Sequence, residues 1–265
     1  AARDLGAVAE AQARVRGEMQ TVARLGDARD ARSAAAKIRP RETKATMIAI
    51  PEPTDLCRLA ERHDTDKGTM YTQVYHRWLA HVREQRLRML EIGLYNGGSL
   101  RMWRDYLPNA VLHGIDIDAR TLAYQDEVPN SQVRLVDQAS TAALDAFVAE
   151  LGGNYDFILD DGGHTMVQQI VSFEVLWPQV LPGGIYAIED LGTSYFPQYG
   201  GQDVGGPDTA LAHMKHLVDA TNRGHAMHPP AGVATAVSPI AMAQLRRDVA
   251  SIHFHPGIAL VVKRF

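Results

Sequence analysis

From residue 87 onward, short apolar runs alternate with segments of helical period. Leu87–Ile92, Val111–Ile117, Val133–Val136, Phe157–Leu159 and Ile185–Ile188 each read as a buried strand. Ser99–Tyr106, Thr141–Leu151, Val167–Trp177 and Thr209–Asn222 carry the spacing of helices packed on one face. Ile252–His255 and Ile258–Lys263 flank Pro256-Gly257 and read as a hairpin. Two more helices, Asp55–His63 and Tyr71–Gln85, come before the first strand. Strand–helix alternation followed by a hairpin predicts an α/β fold: a doubly wound, mostly parallel seven-stranded sheet closed by an antiparallel hairpin.

The first 54 residues follow a different pattern. Residues 3–36 are rich in Ala, Arg and Glu, with Leu5, Val8, Gln12, Val15, Met19 and Val22 at heptad spacing. This predicts a helix that either docks on its own domain or self-associates, and the seam leans the chain toward a homo-oligomer. Ile38–Thr54, with Pro40, Pro51 and Pro53, reads as a linker. The expected division is therefore residues 1–54, helix and linker, and residues 55–265, a single α/β domain.

Composition narrows the function. A net charge of −4 argues against a general affinity for nucleic acid or anionic membrane. No apolar run is long enough to span a bilayer, and the charged, Ala-rich start lacks the apolar core of a signal peptide. Cys57 is the only cysteine, which fits a reducing, cytoplasmic setting.

Two acidic clusters carry the chemistry. Asp160-Asp161-Gly162-Gly163-His164 follows the fourth strand, and Glu189-Asp190 follows the fifth. Parallel strands joined by a helical crossover bring both clusters to the carboxyl edge of the sheet, where ligands bind in open α/β folds. Converging carboxylates repel unless a cation sits among them. Oxygen ligands without cysteine favour Mg²⁺, with Mn²⁺ as the other candidate. His164 is then placed to act as a base, since imidazole titrates near ~6.5.

After the first strand, Glu91-Ile92-Gly93-Leu94-Tyr95-Asn96-Gly97-Gly98-Ser99 forms a glycine turn that opens a helix. Its spacing is not that of a dinucleotide fingerprint, which disfavours a nicotinamide oxidoreductase. Asp116 ends the second strand, where an acid accepts hydrogen bonds from ribose hydroxyls. Asp137 ends the third, either facing an adenine amino group or capping the next helix. Leu191–Pro207, with Tyr195, Phe196 and Tyr199 among glycines, suggests a lid over an acceptor.

Thr65-Asp66-Lys67-Gly68, Glu91-Ile92-Gly93, Gly114-Ile115-Asp116, Asp160-Asp161-Gly162-Gly163-His164 and Ile188-Glu189-Asp190-Leu191-Gly192-Thr193-Ser194-Tyr195 together resemble a known family. It is that of the metal-dependent class I S-adenosylmethionine sugar O-methyltransferases of macrolide biosynthesis, with rhamnosyl and cephalosporin-tailoring relatives. The resemblance covers residues 55–265. It implies that Asp161, Glu189 and Asp190 hold the metal and that His164 is the general base. It also implies that Lys67, Tyr71, Glu91, Gly93, Asn96, Gly97, Ser99, Asp116, Asp137 and Asp160 serve S-adenosylmethionine. The implied acceptor is a sugar hydroxyl of a glycoside or oligosaccharide. The helix after Gly68 departs from the family in lacking a histidine, while Tyr71 and Tyr75 remain. Two other readings compete: a catechol-type O-methyltransferase acting on a small diol, and a non-catalytic scaffold on the same fold.

Overall fold

The computed structural model describes residues 52–202, 206–223 and 248–265. The heptad segment, most of the linker and residues 203–205 lie outside the described residues. Pro53–Phe265 pack as one compact unit.

Helices α1 (Asp55–Arg62) and α2 (Thr69–Leu79) lead into β1 (Arg88–Ile92) and α3 (Gly98–Tyr106). There follow β2 (Val111–Asp116), β3 (Ser131–Leu135), α4 (Thr141–Leu151), β4 (Tyr155–Asp160) and α5 (Met166–Leu176). The chain ends with β5 (Val180–Ile188), α6 (Ala210–Arg223), β6 (Val249–His255) and β7 (Ile258–Lys263). The sheet has seven strands in the order β3-β2-β1-β4-β5-β7-β6. Strands β1 to β5 are parallel, and β7 pairs antiparallel with both β5 and β6. This is the doubly wound sheet with closing hairpin that the alternation predicts.

Two expectations shift. Helix α2 stops at Leu79 rather than at Gln85. The last core-facing position of its apolar stripe is Leu79, and turns then carry the chain on through Val82 and Gln85. Strand β5 starts at Val180, earlier than Ile185. Pro182-Gly183-Gly184 reads as a turn in sequence, yet it lies within the strand, where the pairing with β4 changes register between Tyr155 and Phe157.

The two-residue period of the strands splits the core into two layers. Met89, Phe157, Leu159, Ile185 and Ala187 face Leu56, Tyr75 and Trp103 of α1–α3. Leu90, Ile92, Ile158, Tyr186 and Ile188 face Phe147, Phe173 and Leu217 of α4–α6. Beyond the carboxyl ends of β1, β4 and β5 the same period decides which acid points where.

Candidate active site

Asp160 and Asp161 are neighbours in sequence but are placed apart. Asp160 ends β4 on the α4–α6 side and is fully buried. It accepts from Gln138 Nε2 at 3.0 Å and from the Ser172 hydroxyl, with Tyr186 Oη at 3.4 Å. Burial pushes its carboxyl up to about 6, against the hydrogen bonds from Ser172 and Gln138. Asp160 therefore neither reaches the cavities described below nor pairs with Lys67. It serves as a buried anchor for the loop after β4, because strand alternation turns it away from the open edge.

Asp161 stands past the strand end. Its N–H donates to Ile92 O at 2.9 Å, and its Oδ2 accepts from Lys67 Nζ at 2.5 Å. The side chain of Lys67 is 0% exposed. Glu189 Oε1 lies 3.2 Å from the ammonium and Glu91 Oε1 lies 3.7 Å from it. Burial pushes Glu189 up to about 8 and Glu91 up to about 7, each against the pull of Lys67. Desolvation disfavours the Lys67 charge, but the surrounding Glu189, Asp161 and Glu91 outweigh it and raise its pKa. One ammonium among three carboxylates is thus retained; burial lifts the two glutamates, and the charge of Asp161 adds to it.

Asp190 caps the helical turn Leu191–Tyr195 in a left-handed conformation, φ +54°. Its Oδ1 accepts from Tyr71 Oη at 3.2 Å, and its Oδ2 is 3.4 Å from His164 Nε2. His164 is also left-handed, φ +57°. Such conformations cost on the order of 1–3 kcal/mol in non-glycine residues and persist where the surroundings impose them. Here the Thr193 hydroxyl supplies that constraint, lying 2.9 Å from His164 O and 2.8 Å from Asp190 O. A capping box, Thr165 with Gln168, starts α5 directly after the histidine.

Asp161, His164 and Asp190 converge with ligand atoms within 4.8 Å of one another. Glu189 is not in this group. Its Oε1 is held by Tyr75 Oη at 2.5 Å and by Lys67, while its Oε2 accepts from no described residue. Tyr71 and Tyr75 of α2 thus reach Asp190 and Glu189. Lys67 and Glu91 are enclosed with the acids instead of lining the cavities. No helix among the described residues is long and apolar enough to cross a membrane.

A cavity of about 510 Å³ opens beside this cluster, lined by Gly93, Asn96, Asp116, Asp137, Gln138 and Asp161 among others. Gly93 has φ +86°, and a Cβ there would stand 2.2 Å from Asp161 O. The turn after β1 is therefore pressed against the loop after β4, which only glycine allows. Asp116 Oδ2 accepts from the N–H groups of Leu94 (2.7 Å) and Tyr95 (3.3 Å), so it also shapes that turn. Asp137 accepts from Ala139 N at 2.8 Å and lines the same cavity, while Ser140, not Asp137, caps the helix that follows. A smaller cavity of about 170 Å³ adjoins, lined by Asp66, Asn96, Ser99, Asp161 and His164 among others. Gly97 lines neither cavity; its left-handed φ of +74° lets the chain turn into α3.

The sequence reading did not single out Gln138 or Asp66 as site residues. Gln138 bridges the loops after β3 and β4, donating to Asp160 and accepting from Gly163 N at 2.9 Å. A polar residue directly after Asp137 was the available signal.

A family model described as a methyltransferase domain matches residues 90–191. The 8-demethyl-8-alpha-L-rhamnosyl tetracenomycin-C 2'-O-methyltransferase of Streptomyces olivaceus is 34% identical over 218 residues, covering 79% of this chain and 54% of that protein. The mycinamicin VI 2''-O-methyltransferase of Micromonospora griseorubida is 33% identical over 225 residues, covering 79% of this chain and 52% of its own length. Among solved structures, the MycE methyltransferase of the mycinamycin pathway, in complex with Mg and SAH, matches with a TM-score of 0.66 and 30% identity. That match covers 80% of this chain and 55% of the other. The chain thus spans about half the length of the curated relatives it matches. From its strand order, its acid-lined edge and these matches, the chain carries a methyltransferase domain of the class I fold and is related to the O-methyltransferases that tailor the sugars of macrolides and polyketides.

Proposed function

We propose that this chain transfers a methyl group from S-adenosylmethionine to a hydroxyl of a sugar on a glycoside, with a divalent cation at the acidic edge. The observation that carries the reading is the convergence of Asp161, His164 and Asp190 beside the cavity shaped by Gly93, Asp116 and Asp137. The names of the relatives, which methylate sugars of tetracenomycin and mycinamicin, support the acceptor class.

The residues fit the groups this reaction needs. Asp161 and Asp190 present hard oxygens to a common point beside His164, while Glu189, the third ligand that the resemblance implies, lies outside that group and is held by Tyr75 and Lys67. This donor set suits Mg²⁺ or Mn²⁺. His164 Nδ1 is buried without a hydrogen-bond partner among the described residues, an orphan that an incoming ligand or water would satisfy. The larger cavity offers Asp116 and Asp137 to the ribose and adenine of the donor.

A cation at this site would lower the pKa of an acceptor hydroxyl, which is otherwise far too weak a nucleophile at neutral pH. His164 takes the hydroxyl proton on Nε2, and Asp190, 3.4 Å away, stabilises the imidazolium that results. Lys67 and Tyr75 fix Glu189, and Tyr71 fixes Asp190, so the acids are set before the substrates arrive. The glycine turn presses the donor cavity against the loop that carries His164, and this positioning supplies much of the acceleration. The aromatic turn at Tyr195 and Phe196, whose side chains are 46% and 52% exposed, lies just beyond Asp190 and covers the acceptor.

Calorimetric titration with S-adenosylhomocysteine, with and without Mg²⁺, tests the donor assignment. One-site binding is expected. No binding in either condition would overturn it and bring the scaffold reading forward.

A further inference from the structure

We infer that Thr193 is a positioning residue whose single hydroxyl holds His164 and Asp190 in register across the cation seat. The inference rests on the metal reading above and deepens it. His164 and Asp190 follow different strands, and the pairing of β4 with β5 ends at Asp160 and Ile188. One step on, Glu189 N donates to Asp160 O at 2.9 Å. Among the described residues, no further backbone hydrogen bond joins the two loops. The Thr193 hydroxyl takes over from there. It lies 2.9 Å from His164 O and 2.8 Å from Asp190 O, so its one proton is shared between the two carbonyls. Both residues are left-handed without being glycine, φ +57° and +54°. Each backbone would relax toward an ordinary conformation if it were released.

Thr193 is itself held from the other side. Its N–H donates to Asp190 O at 2.9 Å, and its carbonyl accepts from Phe196 N at 2.9 Å. The next residue, Ser194, is fully buried. Its Oγ accepts from Leu211 N of α6 at 3.1 Å, and its carbonyl accepts from Gln202 N at 2.9 Å. Gly201 packs against the same turn, where a Cβ would stand 2.4 Å from Thr193 O. The turn is thus anchored to α6, and the hydroxyl passes that anchorage to both loops. Without it, the imidazole is free to leave Asp190 Oδ2, now 3.4 Å from Nε2, and the convergence of Asp161, His164 and Asp190 opens. Thr193, His164 and Asp190 do not line the larger cavity, so binding there is a separate readout.

The test uses the full chain and two variants. Thr193→Val exchanges the hydroxyl for a methyl group of similar size, and Thr193→Ser keeps the hydroxyl. Mn²⁺ titration, followed by the paramagnetic resonance of the free ion, reads the seat without turnover. Groups that orient metal ligands typically set about 10- to 100-fold in affinity, so Thr193→Val is expected to bind Mn²⁺ weaker by that factor and Thr193→Ser to stay within about threefold. S-adenosylhomocysteine affinity and circular dichroism are expected to match the unsubstituted chain in both. Thr193→Ala, which adds no methyl in place of the hydroxyl, repeats the test if valine is not accommodated, with the same loss expected. Unchanged Mn²⁺ affinity without the hydroxyl, an equal loss with serine, or an equal loss of S-adenosylhomocysteine affinity would overturn the inference and leave the metal reading intact. Failure of the unsubstituted chain to bind Mn²⁺ would overturn both.

Discussion

The proposed chemistry turns on His164. It sits at φ +57° with Nε2 facing Asp161 and Asp190, and its backbone carbonyl is tied to Thr193. Replacing it with alanine removes the proposed proton acceptor and leaves the larger cavity, which it does not line, unaltered. Turnover is expected to fall by about 10²-fold or more, while S-adenosylhomocysteine affinity stays within a fewfold; steady-state kinetics and calorimetry read the two separately. Undiminished turnover would remove His164 as the base. The acids that flank it were legible in the sequence because they follow predicted strands directly. The partition of Asp160 from Asp161 follows from the two-residue strand period. The partners of Glu189 were not legible, because Lys67 and Tyr75 come from a loop and a helix far upstream. Only the fold shows that they meet.

Among the elements, the turn from β1 into α3 sets the distance between the larger cavity and the acidic edge. Gly93 touches Asp161 O so closely that any side chain would force the loops apart. The variant Gly93→Ala adds a backbone clash and a strained left-handed alanine. It is expected to lose about 1–3 kcal/mol in urea denaturation and at least tenfold in donor affinity. Native-like values for both would show that the close approach is not needed. The glycines and the acid at the end of β2 were readable in sequence, and Asp116 proves to hold the turn itself through Leu94 and Tyr95. Pro182-Gly183-Gly184 misled the reading of β5 because a proline–glycine run has the same signature in a turn and at an irregular strand start. The aromatic segment after Asp190 is built as short helical turns. The hydrogen bonds of Gly201 and Gln202 to Phe196 and Ser194 give it a defined shape that composition did not reveal.

For the whole molecule, alternation of strands and helices fixed the fold class, but the order of the strands and the two-layered core emerge only from packing. Buried histidines make stability depend on pH. His113 is 1% exposed, with Nδ1 2.8 Å from Tyr155 Oη. Burial, with Arg88 and Arg134 nearby, lowers it to about 4. An unfolded histidine titrates near ~6.5, so the stability His113 contributes is full above that pH and is lost as pH falls toward 4. Asp160, Glu91 and Glu189 act in the opposite sense, because their raised values stabilise the fold as pH falls. The difference between chains isolates the histidine. Between pH 7 and 5, His113→Gln is expected to lose about 2 kcal/mol less than the unsubstituted chain in urea denaturation. Parallel pH profiles would contradict a neutral, buried His113. The central claim, metal-assisted methylation of a sugar hydroxyl, is tested most directly by incubating the chain with S-adenosylmethionine and a panel of rhamnosylated and deoxysugar glycosides, with Mg²⁺ or with a chelator, and following methyl incorporation by mass spectrometry. The account predicts a methylated sugar with Mg²⁺ and at least a tenfold loss with the chelator; equal incorporation in both, or methylation confined to non-sugar diols, would contradict it.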